Sequence, residues 1–525
     1  DEPTTALDVT VEAEILDLLD QIRRKRSLAM LFITHNLGLV NRICDRVCVL
    51  YAGSVLEQGR TSDVLARPAH PYTQGLLASM PRLELARRRS RLLPIAGKFP
   101  DLTALPDGCV FKPRCPHAEA QCTQPQQLES IESRRAVRCW KFRNVAMLPG
   151  HLTPPPARQA TRSASPTTLL DVADLHKNYT LGLRAVPSTL KVGNNLRMGW
   201  FALQRPEVHA LNGVSLAIRR GETLGVVGES GCGKSTLGRC IVRLLDPTSG
   251  TIVFDGRDVT HQAGRRLRTF RGQSQIVFQN PVSSLNPRKT VGAAVGRSLA
   301  NFSDLPLAQR RERVSRILEQ VGLSAAYADR YPHQLSGGER QRVGIARALA
   351  TGPKFIVCDE PVSALDVSVQ ATVLNVLADL RDELGLAYLF ISHDLSVVVH
   401  IADRIAVMYA GTICEEGPTD AVLAPPYHPY TETLLAAIPS PDPSLAQREH
   451  VRARPASTIG ERRTAGCCFQ LRCERKIGAI CETVAPPAVV AGPSHTIRCH
   501  LPLQTLRSIP PVVPIATLAV AGSER

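Results

Sequence analysis

The chain has 525 residues, and 63 Lys and Arg against 47 Asp and Glu give it a formal net charge of +16 at pH 7. The length suffices for about two to four domains, and 44% hydrophobic residues is an ordinary globular share. No uninterrupted apolar run is long enough to cross a bilayer, and the first residues predict no secretion signal. Composition thus predicts a soluble intracellular protein. Its basic excess fits a nucleic acid, a membrane surface or simple solubility.

The sequence repeats itself at an offset of 358 positions. Asp1–Asp8 matches Asp359–Asp366, and the same offset carries His35 onto His393. This self-similarity predicts the end of one module followed by a whole second copy, which begins near Leu169. The second copy of the acidic segment begins 190 residues after Leu169. We therefore expect a similar length ahead of the first copy, in an intact protein of roughly 700 residues.

Composition and the repeat together divide the chain into six predicted segments. One segment, rich in Pro, Ser, Thr and Ala, cannot bury a core and is predicted to be a linker. The segments are 1–85, the end of the first module; 86–145, a first cysteine-bearing tail; 146–168, the linker; 169–440, the complete second module; 441–505, a second cysteine-bearing tail; and 506–525, a flexible C-terminus.

A glycine-rich loop follows a predicted strand in the second module. Its sequence, G-E-S-G-C-G-K-S over Gly228–Ser235, matches the phosphate-binding pattern G-x4-G-K-[ST]. Backbone N–H groups of such a loop point at phosphates; Lys234 is expected to contact the β- and γ-phosphates, and Ser235 to offer its hydroxyl to Mg²⁺. The predicted nucleotide contacts are Gly228, Glu229, Ser230, Gly231, Cys232, Gly233, Lys234, Ser235 and Thr236. A glycine-rich turn that binds no nucleotide is the alternative.

Two later apolar runs each end in polar residues. Phe355–Cys358 ends in Asp359 and Glu360, and a second run ends at His393. The carboxyl ends of parallel strands are where α/β sheets bind ligands. Asp359 is suited to hold Mg²⁺ through a water, Glu360 to align the attacking water, and His393 to sense a γ-phosphate. A helix N-cap for the two acids and a structural role for the histidine are the alternatives.

Two further segments lie between the loop and these strands. An apolar strand leads into a polar, turn-rich loop that begins with Gln279. Leu335–Glu339 (L-S-G-G-E) precedes a basic helical stretch, and a Ser-Gly-Gly that opens a helix offers backbone donors to an anion. The predicted donors of this segment are Ser336, Gly337, Gly338 and Glu339. An ordinary helix cap is the alternative.

Together these motifs resemble those of the ATP-binding cassette (ABC) ATPases. Gly228–Ser235 resembles Walker A, Gln279 the Q-loop, Leu335–Glu339 the signature, Phe355–Glu360 Walker B, Ser363–Asp366 the D-loop and His393 the H-loop. The resemblance implies an α/β P-loop NTPase fold: a RecA-like core with a helical and an antiparallel β subdomain, plus small cysteine-bearing C-terminal appendages. It also implies that Tyr179, ahead of a long basic loop over 181–209, stacks on adenine. Mg²⁺ would be held by Ser235, Gln279 and Asp359. A tyrosine in a core strand is the alternative for Tyr179.

Further segments resemble the dipeptide/oligopeptide branch of bacterial importers. They are Phe278–Arg288, Tyr331–Ser336, His428–Thr431 and the two tails, and two fused cassettes resemble the glutathione-type importer ATPases. The resemblance implies an ATP-hydrolysing subunit at the cytoplasmic face of the bacterial inner membrane, docked under two membrane permeases and served by an extracytoplasmic solute-binding protein. No nucleic acid partner is then expected. The alternatives are a soluble tandem-cassette ATPase acting on ribosomes or DNA and an inactive gene fragment.

Cassettes of this family pair head to tail, with ATP between the P-loop of one and the signature of the other. The second module's site then needs a signature from ahead of Asp1. The reciprocal site would join Asp1, Glu2 and His35 to the second module's Ser336–Glu339. The resemblance thus implies catalytic roles for Lys234, Gln279, Glu360, His393, Glu2 and His35.

Eight of the fifteen cysteines form two sets of similar spacing. They are Cys109, Cys115, Cys122 and Cys139, and Cys467, Cys473, Cys481 and Cys499. Structural disulfides are not expected inside a cell, and four thiolates suit an iron–sulfur cluster or zinc. The resemblance to peptide-importer ATPases makes a [4Fe–4S] centre the sharper hypothesis. Free thiols in a small folded appendage are the alternative.

Overall fold

The computed structural model describes residues 1–4, 7–83, 91–132, 134–143, 167–180, 182, 184–192, 196–204, 207–445 and 465–513. All but the last two positions of the predicted linker therefore lie outside the described residues. Across the described ranges, no helix is both long and apolar enough to cross a membrane.

Within those ranges, the first part of the chain combines helices with a four-stranded antiparallel sheet. The elements are α1 (Val9–Arg26), α2 (Leu37–Ile43), β1 (Arg46–Tyr51), β2 (Ser54–Arg60), α3 (Thr61–Ala66), α4 (Pro71–Ser79), β3 (Glu129–Glu132) and β4 (Arg135–Val137). The sheet order is β1-β2-β4-β3, so the strands of the first cysteine-bearing tail extend the hairpin of the first module. Residues along β1 are alternately exposed and buried, as in a sheet with one covered face.

The second part opens with an antiparallel sheet and a separate hairpin. The strands are β5 (Thr168–Thr180), β6 (Arg184–Val192), β7 (Leu196–Gln204), β8 (Glu207–Arg219), β10 (Ser249–Phe254) and β11 (Arg257–Asp258). The sheet order is β11-β10-β5-β8, and β6 pairs with β7. The prediction of a long loop over 181–209 is therefore wrong for the described part of that segment. The β-branched and aromatic residues of this segment favour strands. The two strands pair in register from Arg184 with Gln204 to Val192 with Leu196.

An eight-stranded sheet forms the centre of the second part. Its strands are β9 (Thr223–Val227), β12 (Ser274–Val277), β13 (Phe355–Asp359), β14 (Ala387–Ser392), β15 (Arg404–Tyr409), β16 (Thr412–Pro418), β17 (Ala488–Gly492) and β18 (His495–Arg498). The order is β12-β13-β14-β9-β15-β16-β18-β17. The first five strands pair in parallel, and every residue of β9, β13 and β14 is buried. Strands covered on both faces explain the uninterrupted apolar runs in the sequence.

Helices cover this central sheet and form a helical region between β12 and β13. They are α5 (Lys234–Ile241), α6 (Gly264–Gln273), α7 (Pro281–Ser284), α8 (Val291–Phe302), α9 (Leu307–Gln320), α10 (Gly337–Leu349), α11 (Val367–Leu384), α12 (Leu395–Ile401), α13 (Thr419–Val422), α14 (Pro429–Ala437), α15 (Ile480–Thr483) and α16 (Leu503–Arg507). A largely parallel sheet flanked by helices, with an antiparallel sheet beside it, confirms the predicted α/β class.

The second cysteine-bearing tail is integrated into the central sheet, to which it adds β17 and β18. Behind this edge, the buried carboxylate of Glu415 accepts a hydrogen bond from the Thr431 hydroxyl at 2.6 Å and lies 2.8 Å from Nε2 of His495. The prediction of a flexible terminus from residue 506 is wrong for the described residues 506–513, because Ile509 and Val513 are buried in the core. Their apolar side chains give this short stretch a reason to pack.

Candidate nucleotide-binding and hydrolysis site

The P-loop joins β9 to α5 at the carboxyl edge of the central sheet. Gly228 has φ of 152°, and a Cβ there would overlap the carbonyl oxygen of Met408. Gly233 has φ of 108°, and its Cβ would overlap the carbonyl oxygen of Ala210. Glycine is needed at both positions because the backbone turns through a left-handed conformation against neighbouring main chain. Three further predicted contacts lie nearby: Gly231 and Cys232 in the same turn, and Thr236 at the start of α5.

Lys234 and Ser235 bring cationic and hydroxyl groups to this edge. The buried ammonium of Lys234 donates to the carbonyl oxygens of Gly228 at 2.6 Å and Glu229 at 2.9 Å. The Ser235 hydroxyl donates to Oδ1 of Asp359 at 2.7 Å. Burial raises the pKa of Asp359. Hydroxyl and carboxylate oxygens are the ligands that Mg²⁺ prefers. Of the three predicted ligands, Ser235 and Asp359 lie side by side, and the Gln279 amide contacts Glu360.

Glu360 lies directly after β13 and is held by two predicted partners. Its Oε2 accepts a hydrogen bond from the Gln279 amide at 2.9 Å and lies 3.2 Å from Nδ1 of His393. Burial by itself raises the pKa of Glu360, but the hydrogen bond and charge of His393, together with Lys234 and Ser363, outweigh it and bring the pKa below its usual value. Glu360 also has φ of 47°, an uncommon conformation for a residue with a side chain. Such strain is concentrated at functional sites.

The first module repeats the carboxylate–histidine pair. Nδ1 of His35 lies 2.7 Å from Oε1 of Glu2. Their side chains are 46% and 40% exposed, against 22% and 10% for His393 and Glu360. His35 lines a cavity of about 1840 Å³ together with the signature residues 336, 338 and 339. Of the predicted reciprocal residues, His35 of the first module and Ser336, Gly338 and Glu339 of the second line this cavity, whereas Asp1, Glu2 and Gly337 are not among its lining residues.

The signature segment caps α10, with Gly337 as the first helical residue. The backbone N–H of Ser336 donates to the Glu339 carboxylate at 2.9 Å, and the N–H of Glu339 donates to the Ser336 hydroxyl at 3.3 Å. This reciprocal pair is a capping box. A Cβ on Gly338 would overlap the side chain of Val369 on α11. Capping and helix packing account for the local sequence, so its contact with a nucleotide stays a prediction.

Tyr179 lies near the end of β5, opposite Val208 on β8. Its side chain is exposed rather than part of the core, and the Lys177 ammonium lies 5.3 Å from the ring centroid. The alternative of a core tyrosine is therefore wrong. A role in stacking on adenine stays a prediction.

Sequence reasoning missed three contacts that other parts of the chain make with the P-loop. The Asp8 carboxylate accepts from the backbone N–H and the hydroxyl of Ser230 at 2.6 and 2.7 Å. The Thr10 hydroxyl donates to Oε1 of Glu229 at 2.5 Å, and the Arg472 guanidinium lies 2.6 Å from its Oε2. One sequence signal pointed to the arginine. Both tails contain F-x-x-R-C, so an arginine recurs at the same position of each tail.

The four cysteines of the first tail line one small cavity of about 20 Å³, shared with His70 and His117. In both tails a backbone N–H···O bond joins the first and third cysteines, Cys109 with Cys122 at 2.9 Å and Cys467 with Cys481 at 2.8 Å. Burial raises the pKa of Cys115 and Cys139 to about 11, and of Cys473 to about 12. Within the ranges that the structure describes, no group of three or more His, Cys, Asp or Glu is arranged to hold a metal ion.

Two family models match the chain. The ABC transporter model matches residues 211–363, and the oligopeptide/dipeptide transporter C-terminal region matches 56–122 and 414–481. A solved dimer of the ATP-binding cassette MJ0796 with ADP and Pi, in a post-hydrolysis state, is 28% identical and covers 48% of this chain and 99% of that chain, with a TM-score of 0.40.

Curated relatives match most of the sequence. The oligopeptide transport ATP-binding protein OppD of Mycobacterium tuberculosis is 43% identical over 448 residues, 85% of this chain and 70% of the relative. The glutathione import ATP-binding protein GsiA of Pectobacterium atrosepticum is 38% identical over 476 residues, 90% of this chain and 66% of the relative. Fold and motifs define an ABC-type ATPase. The chain belongs to the ABC transporter family, in the group that carries the oligopeptide/dipeptide C-terminal region.

Proposed function

We propose that this chain is the ATP-hydrolysing subunit of a membrane importer for peptides or related small solutes. The observation that carries the proposal is the Glu360 carboxylate, held between Gln279 and His393 beside the P-loop, in a chain with two transporter-type tails. The relatives named for oligopeptide and glutathione import support the solute class. The transporter-type tails also disfavour the alternative of a ribosome- or DNA-directed ATPase.

In this proposal each polar group at the sheet edge has one role. Glu360 takes the proton of the attacking water, and its low pKa keeps it ionised and ready to accept that proton at neutral pH. His393 and Gln279 hold the carboxylate in position, and Lys234 binds the β- and γ-phosphates. Ser235 and Asp359, together with Gln279, would hold Mg²⁺, which when bound neutralises phosphate charge.

Pairing of the two modules and docking on permeases complete the proposal. The hydrogen bonds from Ser230 of the P-loop to Asp8 of the first module support a head-to-tail arrangement. The partners are two permeases at the cytoplasmic face of the bacterial inner membrane and an extracytoplasmic solute-binding protein. Gln279 contacts Glu360 directly, so movement of its loop against a permease would reach the hydrolytic carboxylate.

Uptake by cells tests this function. A strain that lacks the gene should lose uptake of radiolabelled oligopeptides or of glutathione, and the wild-type gene should restore it. The Glu360→Gln gene should not, although the protein accumulates equally. Wild-type uptake of both solute classes in the deletion strain would contradict the proposed solute class.

We further propose that the two cysteine sets each hold a [4Fe–4S] cluster. Support comes from the four thiols of the first tail, which line one cavity. Thiolates are the usual ligands of such clusters. Anaerobically isolated protein should contain iron and labile sulfide, and Cys115→Ser together with Cys473→Ser should lower both. Zinc, or neither metal, in the fresh protein would contradict the cluster.

A further inference from the structure

Arg472 of the second tail forms an ion pair with Glu229, the second residue of the P-loop. The two groups are 2.6 Å apart, and their side chains are 7% and 15% exposed. The Thr10 hydroxyl donates to the other carboxylate oxygen at 2.5 Å. A carboxylate therefore lies within a loop that binds anions, and an arginine from 243 positions away neutralises it.

We propose that Arg472 is a positioning residue for the nucleotide: by neutralising Glu229 it lets the P-loop accept a polyphosphate, so that ATP affinity depends on the folded cysteine-bearing tail. An unpaired carboxylate close to bound phosphates repels them and lowers the affinity for ATP by several-fold or more, because the site is only partly screened by water. The inference rests on ATP binding at this loop, as in the proposed function.

The packing of the tail fixes where Arg472 lies. The Phe469 ring, three residues earlier, lies 5.2 Å from the rings of both Tyr409 and Tyr430. The Tyr430 hydroxyl in turn accepts the backbone N–H of Glu229 at 2.9 Å. The P-loop residue is thus tied to the tail cluster through both its main chain and its side chain.

The first tail repeats the packing of this arginine. Arg114 is the repeat equivalent of Arg472, and its guanidinium donates to the Tyr51 hydroxyl at 3.3 Å and to the carbonyl oxygens of Ile95 and Ala96 at 2.9 Å each. The arginine therefore has a packing role in both tails. In the second tail the same arginine also contacts the P-loop carboxylate of Glu229.

Equilibrium binding of the fluorescent analogue MANT-ATP, with Mg²⁺, to the full chain tests the inference. Arg472→Met should weaken binding about tenfold, the scale of one uncompensated charge near the phosphates. The double variant Glu229→Gln/Arg472→Met should return to within about twofold of wild type, because no uncompensated carboxylate remains. Arg475→Met is the matched control: it removes an arginine of the same tail that pairs at 2.7 Å with Glu432 on α14, and should leave the affinity unchanged.

Each outcome decides a different point. Equal affinity of Arg472→Met and wild type overturns the inference. Equal loss in the single and double variants also overturns it, because the arginine would then act only by folding the tail. Should Arg472→Met fail to fold, Glu229→Gln alone decides: it should bind at least as tightly as wild type, and weaker binding contradicts the charge argument. A folded wild-type chain that binds no MANT-ATP overturns the proposed ATP site instead.

Discussion

Two nearly identical pentapeptides of this chain have different structures. Residues 31–35 read L-F-I-T-H and residues 389–393 read L-F-I-S-H. In the second copy, residues 389–392 form the last four positions of β14, between β13 and β9, and Leu389 is fully buried. In the first copy, residues 31–34 form no strand in the described structure, and Leu31 is 88% exposed. An apolar, strand-favouring sequence becomes a strand only where neighbouring strands accept its hydrogen bonds and cover its faces.

The residues just around these segments keep more of their common geometry. The backbone N–H of Glu2 donates to the carbonyl oxygen of Ile33 at 2.9 Å, and the backbone N–H of Glu360 donates to the carbonyl oxygen of Ile391 at 3.0 Å. Both glutamates also have positive φ, 39° and 47°. The local turn is therefore reproduced in both copies, whereas burial of the carboxylate–histidine pair is not. The pKa of Glu360 is lowered and that of His393 is raised, because their hydrogen bond and the nearby charges outweigh the opposite effect of burial on each group.

The largest effect should come from removing the buried carboxylate. Glu360→Gln should lower steady-state ATP turnover by about 10²–10⁴-fold, because the amide cannot accept the proton of the attacking water. ATP binding should be retained. Glu2→Gln, the same change in the exposed pair, should cost less. An equal fall in the rate of phosphate release in the two variants would show that the buried and the exposed glutamate contribute equally to ATP turnover.

The two pentapeptides predict a difference in stability. Leu389→Ala should lower the free energy of unfolding by about 2–5 kcal/mol, because it empties a fully buried position. Leu31→Ala, its repeat equivalent, should change it by less than about 0.5 kcal/mol. Urea unfolding of the two variants measures the difference. Comparable losses would mean that the first segment is covered in solution.

The P-loop lysine should matter mainly for binding. Lys234→Ala should weaken MANT-ATP binding by about 10–100-fold, because a charge-assisted contact with phosphate is lost. Lys354→Ala is the control, since this exposed lysine pairs with Asp255 at 2.7 Å on the surface. Unchanged affinity in Lys234→Ala would contradict the assignment of the loop.

The smallest effect is a pH dependence of stability. Burial lowers the pKa of His393, but its hydrogen bond to Glu360 together with the charges of Glu360 and Asp394 outweighs burial and raises the pKa above 6.5. A raised folded-state pKa contributes stability that is fully present below about pH 6.5 and is lost as the pH rises through the folded value. The difference in unfolding free energy between wild type and His393→Gln should therefore shrink from about pH 6 to pH 9. A difference that stays constant, or grows with pH, would contradict the pairing.

Most of the candidate site could be read from the sequence because its motifs are local. The glycines of the P-loop are required by the turn itself, and the acids after β13 follow from a strand that ends at a sheet edge. The hairpin of β6 and β7 and the packing of residues 506–513 were not predicted. Both depend on which neighbours a short segment meets, and a single-sequence pattern does not contain that information.

The sequence by itself determined the repeat, the P-loop and the strands that carry Asp359 and Glu360, because backbone preference and apolar runs act over a few residues. In the described residues one copy of the glutamate–histidine pair is buried and the other exposed, a difference that their near-identical local sequences do not predict. The tertiary structure alone placed Asp8 on Ser230 and Arg472 on Glu229, contacts that span 222 and 243 positions. Such contacts, and the burial that shifts pKa values, arise when the whole chain packs, so no local stretch encodes them.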